Sequence, residues 1–190
     1  MNSPILEIPD PSLVLLIGSS GAGKSTFAAR HFQPTEIISS DRCRAMICDD
    51  ESDQTINAET FGLVHHLARL RLQQKKLTVI DATNLQFRAR RPLLRMARAS
   101  CVPVVAIVFN VSLESCQDHN QVRSRRQVAP EVLELHQREL SESLTRLASE
   151  GYSRIYVIEK SDLANLAVRK LRNSAEFSPD YWSGENRLKH

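Results

Sequence analysis

Nine consecutive residues constrain this chain more than any others: Gly18, Ser19, Ser20, Gly21, Ala22, Gly23, Lys24, Ser25 and Thr26. They fit the phosphate-binding pattern G-x-x-x-x-G-K-[ST], and their context is right for it. The apolar run Leu13-Val14-Leu15-Leu16-Ile17 leads in and reads as a buried strand. A helix-compatible stretch, 25–32, follows. A strand must deliver such a loop, glycines must let its backbone curl, and a helix must start beneath the phosphates. There the unpaired N–H groups and the helix dipole favour an anion. Lys24 is then expected to reach the β and γ phosphates of a nucleoside triphosphate, and the Ser25 hydroxyl to ligate magnesium. A glycine-rich turn that binds nothing would need neither the lysine nor the hydroxyl pair.

With 190 residues, 42% apolar and 25% charged, the chain is long enough for one domain with a proper core. A formal net charge of +3 implies no polyanionic partner by itself. Cys43, Cys48, Cys101 and Cys116 lack paired C-x-x-C spacing, which argues against a zinc site and a secreted disulfide framework. Neither a signal peptide nor a membrane span is evident, so the expected location is cytoplasmic, with no membrane partner.

Strand-like segments at 13–18, 36–39, 77–81, 102–109 and 154–158 alternate with helical patterns near 25–32, 42–48, 55–75, 88–99, 112–122, 130–149 and 161–172. That alternation predicts an α/β fold of the P-loop NTPase and kinase kind, a parallel sheet of about five strands flanked by helices. Pro130 reads as the first residue of a helix and Gly151 as the close of its run. Residues 1–172 are expected to form the catalytic domain, with a helical lid near 112–130. The tail 173–190 is expected to dock partly through Phe177, Tyr181 and Trp182.

Four further groups of residues stand out. Asp41 ends the second strand in Ser39-Ser40-Asp41-Arg42-Cys43-Arg44. Ligands of open α/β sheets collect at such strand ends, where a carboxylate can take a proton from an attacking hydroxyl. Alternatively, Asp41 caps the helix that follows. Arg44, one turn on, can clamp a substrate phosphate or lie solvated at the surface. Asp81-Ala82-Thr83-Asn84 ends the third strand. Asp81 there suits magnesium, directly or through water, or else a simple turn. Arg123, Arg125 and Arg126 fall between two helices, where they can close over a triphosphate or form a solvated turn. Arg88, Arg91, Arg95 and Arg98 recur at helical spacing beside Arg90. They can hold phosphates of a polynucleotide or be an ordinary exposed face.

Taken in order, 14–26, Ile37-Ile38-Ser39-Ser40-Asp41, the acidic run 49–54, Val79-Ile80-Asp81-Ala82-Thr83-Asn84 and Arg126-Gln127-Val128 resemble the kinase domain of bacterial polynucleotide kinase-phosphatase enzymes. The resemblance covers roughly residues 10–170. It implies a parallel sheet with a helical lid and a tunnel for a single-stranded end. It implies transfer of the γ phosphate of ATP, or another NTP, to the 5′-hydroxyl end of RNA or DNA, with magnesium. By position, Lys24 and Ser25 match the triphosphate and magnesium residues, and Asp41 the general base. Arg44 matches the arginine on the 3′-side phosphate, and Arg123 and Arg126 match lid arginines. His119 stands where the family tends to carry another basic lid residue. Those enzymes join the kinase to phosphatase and ligase domains, so the resemblance leaves such steps to separate repair partners. The rival readings are a small-molecule kinase acting on a sugar, nucleoside or antibiotic hydroxyl, and a nucleotide-binding switch or scaffold without transfer.

Overall fold

A computed structural model describes residues 4–122 and 127–172. Arg123, Arg125, Arg126 and the tail 173–190 lie outside the described residues. The centre of the fold is a five-stranded parallel sheet. Its strands in chain order are β2 (Leu13–Ile17), β3 (Ile37–Ser39), β4 (Thr78–Asp81), β5 (Val104–Asn110) and β6 (Arg154–Glu159). In space the order is β3-β4-β2-β5-β6. The expected sheet is therefore present, with β2 at its centre.

Every residue of β2 is buried, because both faces of the sheet are covered. Leu13, Leu15 and Ile17 point into one core and Val14 and Leu16 into the other, the alternation a strand imposes. The first core is closed by α3 (Asn57–Gln73), α4 (Phe87–Ala99) and α6 (Pro130–Arg146), through Val64, Ala68, Leu93, Ala97 and Leu140. The second is closed by α1 (Lys24–His31) and α5 (Leu113–Gln121), through Phe27, Ala28 and Cys116. The short helix α2 (Ser40–Cys48) directly follows β3 and packs on α3.

The chain departs from expectation at its two ends. Residues 161–172 do not form a helix. They make a turn and then β7 (Ala167–Leu171), which pairs in parallel with β1 (Ile5–Pro9). The period-two pattern of Ile5-Leu6-Glu7-Ile8 carries the signal, since Leu6 and Ile8 are buried in the second core. Arg169 and Arg154 both pair with Glu7, and they hold its carboxyl below the usual range despite some opposing desolvation. Among the described residues, no helix is long and apolar enough to cross a membrane.

The register decides where chemistry can happen. Asp81, the last residue of β4, stands opposite Leu16 on one side and Ser39 on the other. The loops leaving β2, β3 and β4 therefore emerge side by side. The crevice lies where the connections from β2 diverge, the place at which open α/β sheets collect ligands.

Candidate active site

The loop between β2 and α1 wraps tightly. Gly21 and Gly23 have φ of 84° and 91°, a region that side chains disfavour. A Cβ on Gly21 would lie 2.5 Å from the Cys116 carbonyl oxygen of α5. Gly23 caps α1, and a Cβ there would meet only Leu163, at 3.6 Å. The Gly21→Ala variant should therefore weaken nucleotide binding more than Gly23→Ala, because it adds a backbone clash to the same left-handed strain of about 1–2 kcal/mol. Titration with a fluorescent nucleotide checks this; equal losses would contradict it.

Lys24 is buried, and its ammonium donates to the Gly18 and Ser19 carbonyls at 2.9 and 2.7 Å. The loop is knitted to its neighbours. The Gly18 N–H donates to the Thr83 carbonyl at 3.0 Å. The Asn84 amide, on a residue with φ of 49°, donates to the Leu16 carbonyl at 2.8 Å. The Asp-Ala-Thr-Asn segment thus splices the end of β4 to the phosphate loop.

Ser39, not Asp41, caps α2: its hydroxyl accepts from the Arg42 N–H at 3.4 Å. Capping therefore does not account for Asp41. Its carboxylate accepts from Arg44 at 2.9 Å. Nor is Arg44 a solvated surface residue, since it is only 2% exposed. It also donates to the Glu51 carbonyl at 3.1 Å and to Asn57 Oδ1 at 2.9 Å. Its Nε is buried with no hydrogen-bond partner among the described residues. The acidic stretch 49–53 is shaped by local turns in which Asp50 and Asp53 accept from Ser52 and Thr55. Those turns present the Glu51 carbonyl to Arg44.

A pocket of about 420 Å³ gathers these parts. Lys24, Ser25 and Ser20 line it from the phosphate loop, Asp41 and Arg44 from α2, and Asp81 and Thr83 from the β4 end. Gln54, Asn57 and Phe61 close the α3 side, and Gln127, Val128, Val132 and His136 close the α6 side. Ser25 and Asp81 offer a hydroxyl and a carboxylate to the same space, hard oxygen donors of the kind magnesium takes.

Two histidines tie the helices to the phosphate loop. His119 Nδ1 lies 2.9 Å from the Gly21 carbonyl, so that bond needs the proton on Nδ1. His136 Nδ1 faces the Ser20 N–H at 3.5 Å. Asn120 bonds both the N–H and the carbonyl of Val128, at 2.9 and 2.8 Å, and so clamps the two sides of the α5–α6 connection. Sequence reasoning missed Asn57, Phe61 and His136. His136 has one available signal: it stands four residues after Val132, hence on the same helical face. Arg90, read as part of a basic cluster, instead points inward and is 1% exposed.

A family model described as AAA domain matches residues 13–147. In fold, the chain is similar to a chain of the Pnkp1/Rnl/Hen1 RNA repair complex, at 20% identity and a TM-score of 0.61. That match covers 77% of this chain and 47% of the other. It is similar to a chain of the AvrRxo1-ORF1:AvrRxo1-ORF2 structure with sulphate ions, at 11% identity and a TM-score of 0.60, covering 79% and 55%. It is also similar to Chaetomium thermophilum Kti12 in complex with ADP-AlF3, at 13% identity and a TM-score of 0.53, covering 80% and 93%. The chain thus spans about half the length of the first two, and identities this low speak to fold alone.

Proposed function

The chain belongs to the AAA domain family, matched over residues 13–147, and from that premise we propose that it is a kinase for the 5′-hydroxyl end of RNA or DNA. The observation that carries this reading is the Asp41–Arg44 pair, set into the same pocket as Lys24, Ser25 and Asp81. A nucleotide switch needs no carboxylate beside an acceptor site, and a kinase for an uncharged metabolite needs no buried arginine there.

In this reading the triphosphate lies along the phosphate loop, from Gly18 to Thr26, with Lys24 on its β and γ phosphates. Ser25 and Asp81, the latter directly or through water, would hold magnesium, which when bound neutralises charge on the phosphoryl oxygens. Asp41 takes the proton of the 5′-hydroxyl as that oxygen bonds to the γ phosphorus and the bond to the β–γ bridging oxygen breaks. The nucleoside diphosphate leaves. Arg44 binds the phosphate on the 3′ side of the terminal nucleotide, held in place by Asn57 and the Glu51 carbonyl. We assign 112–130 as a lid whose Arg123 and Arg126 add positive charge over the transferred phosphoryl group. Separate phosphatase or ligase partners would supply the other steps of end repair.

Transfer of labelled γ phosphate from ATP tests this. The acceptors are a 5′-hydroxyl strand, the same strand already 5′-phosphorylated, and a panel of small hydroxyl metabolites. Label on the first alone is expected. Label only on a metabolite would move the acceptor to the small-molecule class, and label on nothing would leave a binding module. The Arg44→Ala variant should lose about 10–100-fold in kcat/KM more on an acceptor with a 3′-side phosphate than on a free nucleoside. Equal losses would remove Arg44 from the acceptor site.

A further inference from the structure

Outside the pocket, α4 carries five arginines and no acidic residue in its thirteen positions. Arg90 is buried, whereas Arg88, Arg91, Arg95 and Arg98 are all exposed. Spacings of three, four and three keep these four on one side of the helix. Leu93, Leu94 and Ala97 on the other side fill the core. The stripe starts close to the pocket, since Ala82 and Thr83, which line it, lead through a short loop into Phe87, the first residue of α4. From Arg88 to Arg98 the helix runs about 15 Å. At its far end Lys75 continues the positive charge, its ammonium bonded to the Ser100 carbonyl, with Lys76 exposed next to it.

The flanks differ in charge. On the α6 side, Glu139 and Glu142, with Arg146, lie beside Gln86 and Phe87. On the other side α3 packs against α4 and holds Glu59, in its first turn, as its only acidic residue. A polyanion leaving the pocket therefore meets its positive path on the solvent-facing stripe of α4, whose far end, Arg98, donates to the Glu150 carbonyl at 3.0 Å.

We propose that this stripe binds the sugar–phosphate backbone of a single strand, several nucleotides downstream of the end held in the pocket. This rests on the kinase reading above. Contacts of this kind add affinity without reading sequence, and they weaken with salt.

The Arg91→Gln/Arg95→Gln variant tests it, with two readouts. In transfer assays, KM for a strand of about twenty nucleotides should rise about tenfold, while kcat and the KM of a dinucleotide stay unchanged. The unchanged dinucleotide activity also reports that the variant is folded. In anisotropy titrations of a labelled single strand, the slope of log affinity against log salt should fall by about 0.7 for each arginine removed. The same affinity and slope in both proteins would overturn the surface, as would tighter binding to phosphatidylserine vesicles than to the strand. Binding that depends on the stripe, with no transfer to any 5′-hydroxyl, would sink the kinase reading and leave the surface standing.

Discussion

Replacing Asp41 by Asn should lower the rate of transfer to a 5′-hydroxyl by about 10²–10⁴-fold, the range a positioned general base contributes. Asparagine keeps the shape of the side chain and can still accept from Arg44, which here lies 2.9 Å from the carboxylate. It has no basic oxygen to take the hydroxyl proton. Nucleotide binding should change little, because Asp41 belongs to α2 and the triphosphate is assigned to the loop before α1. The loss should thus fall on kcat, with the dissociation constant of a fluorescent ATP analogue preserved. The cap on α2 is Ser39, so the variant should also unfold near the wild-type temperature. Transfer within tenfold of wild type would remove Asp41 from the mechanism. A parallel loss of nucleotide affinity would make it part of the donor site instead.

How much of this was legible in the sequence depends on how local each signal is. The phosphate loop, the Ser-Ser-Asp strand end and the Asp-Ala-Thr-Asn strand end each compress a strand, a turn and a polar group into a few residues. Five parallel strands followed from them and from the apolar runs between, and the structure brings Lys24, Ser25, Asp41, Arg44 and Asp81 around one pocket. What stayed hidden is long-range. The β1–β7 ribbon pairs Ile5 with Ala167, and nothing near either residue announces the other. The adjacent basic residues Arg169 and Lys170 in β7 blur its alternation, and a helical reading of 161–172 followed. Asn57 supports Arg44 from thirteen residues away. The arginines of α4 look alike in sequence; only packing separates Arg90, which faces inward, from the four that face solvent.

That inward arginine should carry the largest single contribution to stability. Arg90 and Glu150 are 1% and 4% exposed at their side chains, and they pair in a two-pronged fashion, with Nε to Oε2 at 2.9 Å. The guanidinium also donates to the Asn84 and Leu85 carbonyls, at 2.7 and 2.6 Å, and to the Ser143 hydroxyl at 3.1 Å. Tyr152 donates to the same glutamate at 3.1 Å; burial first, and the Glu150 charge second, hold its hydroxyl well above the usual tyrosine range. One side chain therefore joins α4, α6, the turn before β6 and the loop that follows Asp81 and carries Thr83. Arg90→Ala strands a buried carboxylate and the Asn84 carbonyl, while the Leu85 carbonyl keeps the Ser143 hydroxyl; the loss is about 3–5 kcal/mol. In a domain of this size that is a fall in Tm of roughly 10 °C. Arg90→Ala/Glu150→Ala should be distinctly less destabilised than the sum of the two single variants, because the uncompensated charge has gone. Additive losses would mean that the pair is not coupled. The Asn84 carbonyl stays without its arginine donor in the double variant, so its Tm should still fall below wild type. Asn84 is also the residue whose amide holds the end of β2, so kcat should fall in Arg90→Ala even at temperatures where the protein is fully folded. Undiminished kcat in folded Arg90→Ala would confine Arg90 to stability and leave the loop after β4 positioned by Asn84 and by the Gly18–Thr83 bond.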